Sequence, residues 1–204
     1  MTTYKLMYFN ACGLGEPIRF MLHYRGVKFE DVRVSAAEWP KHKPNLPMGI
    51  LPVLEIDGKK YSQSITILRH LAKKFNLYGK DDIEALEIDS AADSISDLKI
   101  DLALASWFRE TNDNMKEKLK ALAFKKLPDI LDRLNAQVKK NGGYLVGGKI
   151  SYADILYAGL NDYLSRTLGY DVNKDHPELK KLVDRVLANS NIKAYLEKRP
   201  KTEF

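Results

Sequence analysis

A chain of 204 residues, 45% hydrophobic and 29% charged, has the balance of a globular protein with room for one large domain or two small ones sharing a core. Its net charge of +6 is scattered, with no arginine-rich arm or aromatic-basic ladder, which argues against nucleic acid as a partner. The single cysteine, Cys12, excludes an intrachain disulfide and a cysteine-based zinc cluster, and no window approaches the ~20 apolar residues of a membrane helix.

The start, Met1 to Lys5, has no basic region followed by an apolar signal core, so the expected location is the cytoplasm. Lys5-Leu6-Met7-Tyr8-Phe9 reads as a short strand. Gly13-Leu14-Gly15-Glu16-Pro17 leads into a helix, with Pro17 in its first turn and Gly26 at its end. Phe29 to Val34 reads as a second strand. Residues 35–50, with Trp39 and three prolines, Pro40, Pro44 and Pro47, read as a long irregular stretch that is ordered and useful, since loops of that length are usually functional or disordered.

Leu51 to Ser64 is the densest segment. Pro52 suits a strand entrance, Val53 to Ile56 reads as a strand, and Asp57-Gly58 is a two-residue hairpin signal. After the return strand, Ser64 reads as the cap of an amphipathic helix through Ile65, Leu68, Leu71, Ala72 and Phe75. A helix N-terminus just after an edge hairpin suits a carboxylate or phosphate.

Leu77-Tyr78-Gly79-Lys80 reads as a linker, and helical periodicity dominates beyond it. Long helices are expected over about 82–109, with Ile88, Ala91, Ile95 and Leu98 on one face, and over about 113–139, with Pro128 as an internal kink. Ser151-Tyr152-Ala153-Asp154 is a capping signal, with Ile150 and Ile155 spaced for a hydrophobic staple. Two shorter helices follow at about 177–188 and 191–198. The four histidines, His23, His42, His70 and His176, show no pairing at metal-ligand spacing.

These residues carry a family likeness. Tyr4 to Asn10, Glu38-Trp39-Pro40 with Lys43, Pro52 to Ser64, and Arg199-Pro200 occur in order over the whole chain, and the sequence resembles a cytosolic glutathione transferase of the sigma class, closest to insect members and related to glutathione-dependent prostaglandin D synthase. The resemblance implies an α/β plus all-α fold: a thioredoxin-like β-α-β…β-β-α domain over 1–77 that binds glutathione, then an all-helical domain over 81–204. It further implies a two-fold homodimer and a cis Leu51–Pro52 bond that turns the Leu51 backbone outward to pair with an extended tripeptide. Glutathione is then a co-substrate, with no cofactor.

Under that resemblance Tyr8, at the carboxyl end of the first strand where ligands of open α/β sheets gather, is the catalytic group, donating to the sulfur of glutathione; read alone it is more simply a core aromatic. Gln63 and Ser64 hold the γ-glutamyl end, and Trp39 and Lys43 the glycyl end. Gly49, Ile50, Leu51 and Pro52 line the backbone clamp. Asp89, Asp93, Asp97 and Asp101 form an acidic stripe whose default reading is a solvated helix face; the resemblance has Asp97 reach the glutathione amine bound to the other subunit. Related vertebrate enzymes bind a divalent ion between such aspartates, but Ser96 replaces one carboxylate here and no metal is expected. Phe9, Leu14, Leu104, Trp107 and Leu156 are candidates for the second-substrate pocket, Leu14 standing where those enzymes have arginine.

The expected activity is conjugation of glutathione to hydrophobic electrophiles such as lipid aldehydes and xenobiotics, with reduction of lipid hydroperoxides by the same thiolate. The alternatives are prostaglandin isomerisation, a thiol transferase using Cys12, and a non-catalytic carrier of apolar ligands.

Overall fold

A computed structural model describes residues 2–105 and 113–202, without the side chains of residues 99–105 and of several in 114–123. The amino-terminal part begins with strand β1 (Tyr4–Phe9), whose alternate residues Tyr4, Leu6 and Tyr8 are buried, as a half-buried strand requires. Helix α1 (Glu16–Tyr24) has Pro17 in its first turn, and strand β2 (Glu30–Val34) follows.

Residues 35–50, expected to be irregular, instead form helix α2 (Trp39–His42) and two single 3₁₀ turns, Lys43–Asn45 and Pro47–Gly49. Pro40, Pro44 and Pro47 each occupy the first or second position of one of these turns, where a preset φ favours helical entry and the missing N–H costs nothing.

The Leu51–Pro52 bond is cis. Strands β3 (Val53–Ile56) and β4 (Lys59–Ser62) are joined through Asp57 and Gly58, both at positive φ, 49° and 82°. That is the pattern of the turn whose twist matches flanking strands. The Asp57 carboxylate also accepts the Thr3 N–H at 2.7 Å. Helix α3 (Ser64–Lys74) completes the unit.

The sheet order is β2-β1-β3-β4. β1 and β2 run parallel, with Tyr8 opposite Arg33, while β3 is antiparallel to both β1 and β4, placing Val53 opposite Met7 and Ser62. The register therefore brings the end of β1, the entrance to β3 and the exit of β4 to one end of the sheet.

The helical part comprises α4 (Asp82–Ala105), α5 (Asp113–Lys140, with Pro128 inside), α6 (Tyr152–Leu168), α7 (Pro177–Leu187) and α8 (Ser190–Lys198). α6 is its centre, buried without interruption from Tyr152 to Leu160. Its start has the reciprocal capping box read from the sequence: the buried Asp154 carboxylate accepts from the Ser151 N–H and hydroxyl and from the Leu145 N–H. One apolar cluster runs through both parts, joining Leu6, Phe20 and Leu54 to Ile95, Tyr157 and Leu182. Asp89 of α4 reinforces the junction, accepting from Arg69 of α3, Tyr78 of the linker and Tyr152 of α6. So the first member of the acidic stripe is an interdomain anchor. Among the described residues no helix is long and apolar enough to cross a membrane.

Candidate active site

The sheet end defined by this register gathers nearly all the residues expected to hold glutathione. Tyr8 is the penultimate residue of β1, Leu51 and Pro52 lead into β3, and Gln63 and Ser64 follow β4. The continuation of β2 brings Trp39 to the same place, with its ring edge-on to Phe9 at 5.4 Å, while Phe9 meets Tyr8 edge-on at 5.8 Å. The Lys43 stem lies beside Gly49, where a Cβ would come 3.4 Å from Lys43 Cγ. Four separate chain segments thus converge, three placed by strand pairing and the Trp39 segment by its packing on Phe9.

Tyr8 is held by the 3₁₀ turn Gly13–Gly15, which shapes a cradle without side chains. The Leu14 N–H donates to Tyr8 Oη at 3.0 Å. A Cβ on Gly13 would stand 2.6 Å from Oη, and one on Gly15 2.5 Å from the ring. The Arg19 guanidinium, fully buried, lies 5.8 Å from the ring centroid, within cation–π range. Burial raises the phenol pKa, with the Tyr163 and Cys12 charges adding to the rise and the Leu14 N–H and Arg19 opposing it. The phenol therefore keeps its proton at neutral pH, and with Leu14 occupying an acceptor position that proton is free to be donated.

The start of α3 corrects the sequence reading in one respect. Ser64 is the first helical residue, and the capping position belongs to Gln63, at φ 77° and ψ 104°. Its carbonyl accepts the Ile67 N–H. A non-glycine residue at this φ costs roughly 1–3 kcal/mol, yet Gln63 is exposed, so core packing does not require it. The conformation leaves the first N–H groups of an eleven-residue helix facing the sheet end.

The remaining expected residues are placed less uniformly. Ile50 is exposed and Leu51 half-buried. Asp97 and Asp93 are exposed on α4. Leu14 is partly buried against the core, and Leu156 is inside it. Trp107 and the side chain of Leu104 lie outside the described residues. Cys12 is 3% exposed, and burial together with Glu16 pushes its thiol pKa up, the opposite of a reactive thiol's environment.

Comparison with known proteins identifies the family. Models of the glutathione S-transferase N-terminal and C-terminal domains match residues 4–73 and 100–199. A glutathione S-transferase of Anopheles gambiae is 44% identical over 204 residues, the full length of both chains. The chain belongs to the glutathione S-transferase family. Among solved structures, one of prostaglandin synthase D of Nilaparvata lugens superposes with a TM-score of 0.92 at 40% identity, covering 98% of this chain and 100% of that one. A glutathione S-transferase of the hookworm Necator americanus, described as monomeric, gives 0.85 at 34% identity over 99% and 100% of the two chains. The protein is thus an enzyme of the glutathione S-transferase family, with the thioredoxin-like sheet and helical domain of that fold.

Sequence reasoning about this transferase missed Gly13 and Gly15 as a cradle, Arg19 beneath the Tyr8 ring, and Tyr163 of α6 as a neighbour of Tyr8. The paired glycines were the only visible hint. The Arg199-Pro200 motif gains a role: Arg199 donates to Glu16 at 2.8 Å and pairs with Asp162, tying the chain's end back to α1.

Proposed function

We propose that this transferase is of the sigma class and activates glutathione as a thiolate held by Tyr8, for attack on hydrophobic electrophiles. The observation that carries the reading is the Leu14 N–H bond to Tyr8 Oη at the ligand-gathering end of the sheet, which orients a protonated phenol as a donor. A free thiol with pKa ~8.5 is only a few per cent thiolate at neutral pH. Making thiolate the main form needs a fall of about two units, or roughly 2.7 kcal/mol, and one hydrogen bond to a charged group contributes roughly 1.5–3 kcal/mol. One well-placed donor nearly suffices.

The tripeptide lies extended beside Leu51, with its γ-glutamyl end at Gln63, Ser64 and the α3 N-terminus and its glycyl end at Trp39 and Lys43. Phe9 and Leu14 give the second-substrate side an apolar lining, which suits lipid aldehydes and xenobiotics in a detoxifying role in the cytoplasm, and the same thiolate reduces lipid hydroperoxides. A second reading, prostaglandin isomerisation, is favoured by the Nilaparvata lugens neighbour and weakened by Leu14, which places no cation beside the sulfur. A two-fold homodimer is supported by exposed apolar side chains on both domains, Met48 (83% exposed) and Tyr61 on one, Ile83 and Leu86 on the other. Sedimentation velocity tests it, a monomer at micromolar concentration counting against it.

Conjugation of an aryl halide by Tyr8→Phe tests the mechanism. Turnover should fall at least about tenfold, the loss of a charge-assisted bond, while glutathione binding persists. Unchanged turnover would refute the role of Tyr8.

A further inference from the structure

We propose that Arg19 is a positioning residue for the reaction, holding the Tyr8 ring from its face and making the phenol a stronger donor. The inference rests on Tyr8 being the group that meets the sulfur, and extends it to a residue with no access to substrate.

Arg19 is fully buried, an uncommon place for a guanidinium unless it is paired. Nε donates to both Asp31 oxygens at 3.0 and 3.1 Å, and Nη1 to Glu16 at 3.0 Å and to the Ala11 carbonyl at 2.8 Å. Nη2 has no hydrogen-bond partner, and the Tyr8 ring stands within cation–π distance. The bond to Ala11 fixes the segment just before the Gly13–Gly15 turn, and with it the Leu14 N–H that meets Tyr8 Oη. Arg19 thus acts on Tyr8 by two routes, through the ring face and through the cradle.

The surrounding charges decide how much of its field reaches the phenol. Glu16 and Asp31 face Arg19 directly, and each is shared with a second arginine, Arg199 and Arg33 respectively. Tyr195 of α8 bridges Glu16 and Arg33. Tyr163 of α6 and Cys12 act on the phenol itself, raising its pKa. His23 has its pKa lowered by burial, so it is neutral throughout the alkaline range where a phenol titrates. Removing the Arg19 charge should raise the phenol pKa, and removing the Asp31 charge should lower it.

The test titrates Tyr8 in the ligand-free protein by phenolate absorbance, each variant being subtracted from its Tyr8→Phe counterpart because the chain has 11 tyrosines. The pH profile of kcat/KM for conjugation is measured beside it. Arg19→Gln should raise both the phenol pKa and the apparent thiol pKa by about one unit, Arg19→Lys should restore most of that shift, and Asp31→Asn should move both the other way. A purely structural Arg19 predicts no shift of sign between Arg19→Gln and Asp31→Asn, and that result, or an unshifted phenol in Arg19→Gln, overturns the proposal. If Arg19→Gln fails to fold, the direction of the Asp31→Asn shift decides alone. A phenol that shifts while the thiol does not supports the placement of Arg19 and refutes instead the assignment of Tyr8 to the sulfur.

Discussion

The Leu14 amide donates to the Tyr8 hydroxyl across 3.0 Å, and this one bond fixes what Tyr8 can do. An oxygen that already accepts from the backbone directs its own proton elsewhere, and burial keeps that proton in place at neutral pH. The side chain is therefore built to donate rather than to act as a base.

Gly15→Ala tests the cradle without a backbone penalty, because Gly15 has φ −78° and ψ −28°, which alanine adopts freely. The new methyl would lie 2.5 Å from the Tyr8 ring, so the ring must move. Displacement on the ångström scale should lower kcat by about 10–100-fold, with a smaller change in KM for glutathione. Wild-type kcat in a folded Gly15→Ala protein would count against the cradle.

The backbone of the amino-terminal candidate site was largely legible in the sequence because its signals are local. Pro52, Asp57-Gly58 and the apolar period after Ser64 each constrain their own backbone, and strand pairing does the rest. The helix cap was read as Ser64 in place of Gln63 because no local rule assigns glutamine a positive φ. Arg19 and Gly15 were missed for a different reason. Their meaning lies in what they touch, and a ring from a neighbouring strand cannot be read from spacing. The same holds for Asp89, one carboxylate in an apparently solvated stripe until α3 and α6 close on it.

Asp89→Ala should therefore destabilise the whole molecule rather than affect binding locally. It strands the Arg69 guanidinium and the hydroxyls of Tyr78 and Tyr152, at a cost of about 2–4 kcal/mol. Urea denaturation measures this, and a loss below ~1 kcal/mol would remove Asp89 as an interdomain anchor.

Asp154 gives the fold a pH signature. Burial raises its carboxyl from 3.8 to about 6, against the bonds from Leu145 and Ser151 that favour the charged form. The folded state thus binds more protons than the unfolded state between these values. Its contribution is fully present below the unfolded pKa and is lost as pH rises through about 6. Relative to Asp154→Asn, wild-type stability should fall by roughly 2 kcal/mol between pH 4 and 7. Parallel stability curves for the two proteins would contradict it.

Cys12→Ala should leave conjugation unchanged, since the thiol is buried beside Arg199 and Thr202 and its pKa is raised. Lost turnover, together with a mixed disulfide to glutathione in the wild type, would favour the thiol-transferase alternative.

The most direct measurement is a spectroscopic titration of the thiol of bound glutathione in the wild type and in Tyr8→Phe. The wild type should hold the thiol about two units below its free value of ~8.5, and Tyr8→Phe should return it to within about half a unit of that value. Equal thiol pKa values in the two proteins would contradict the account.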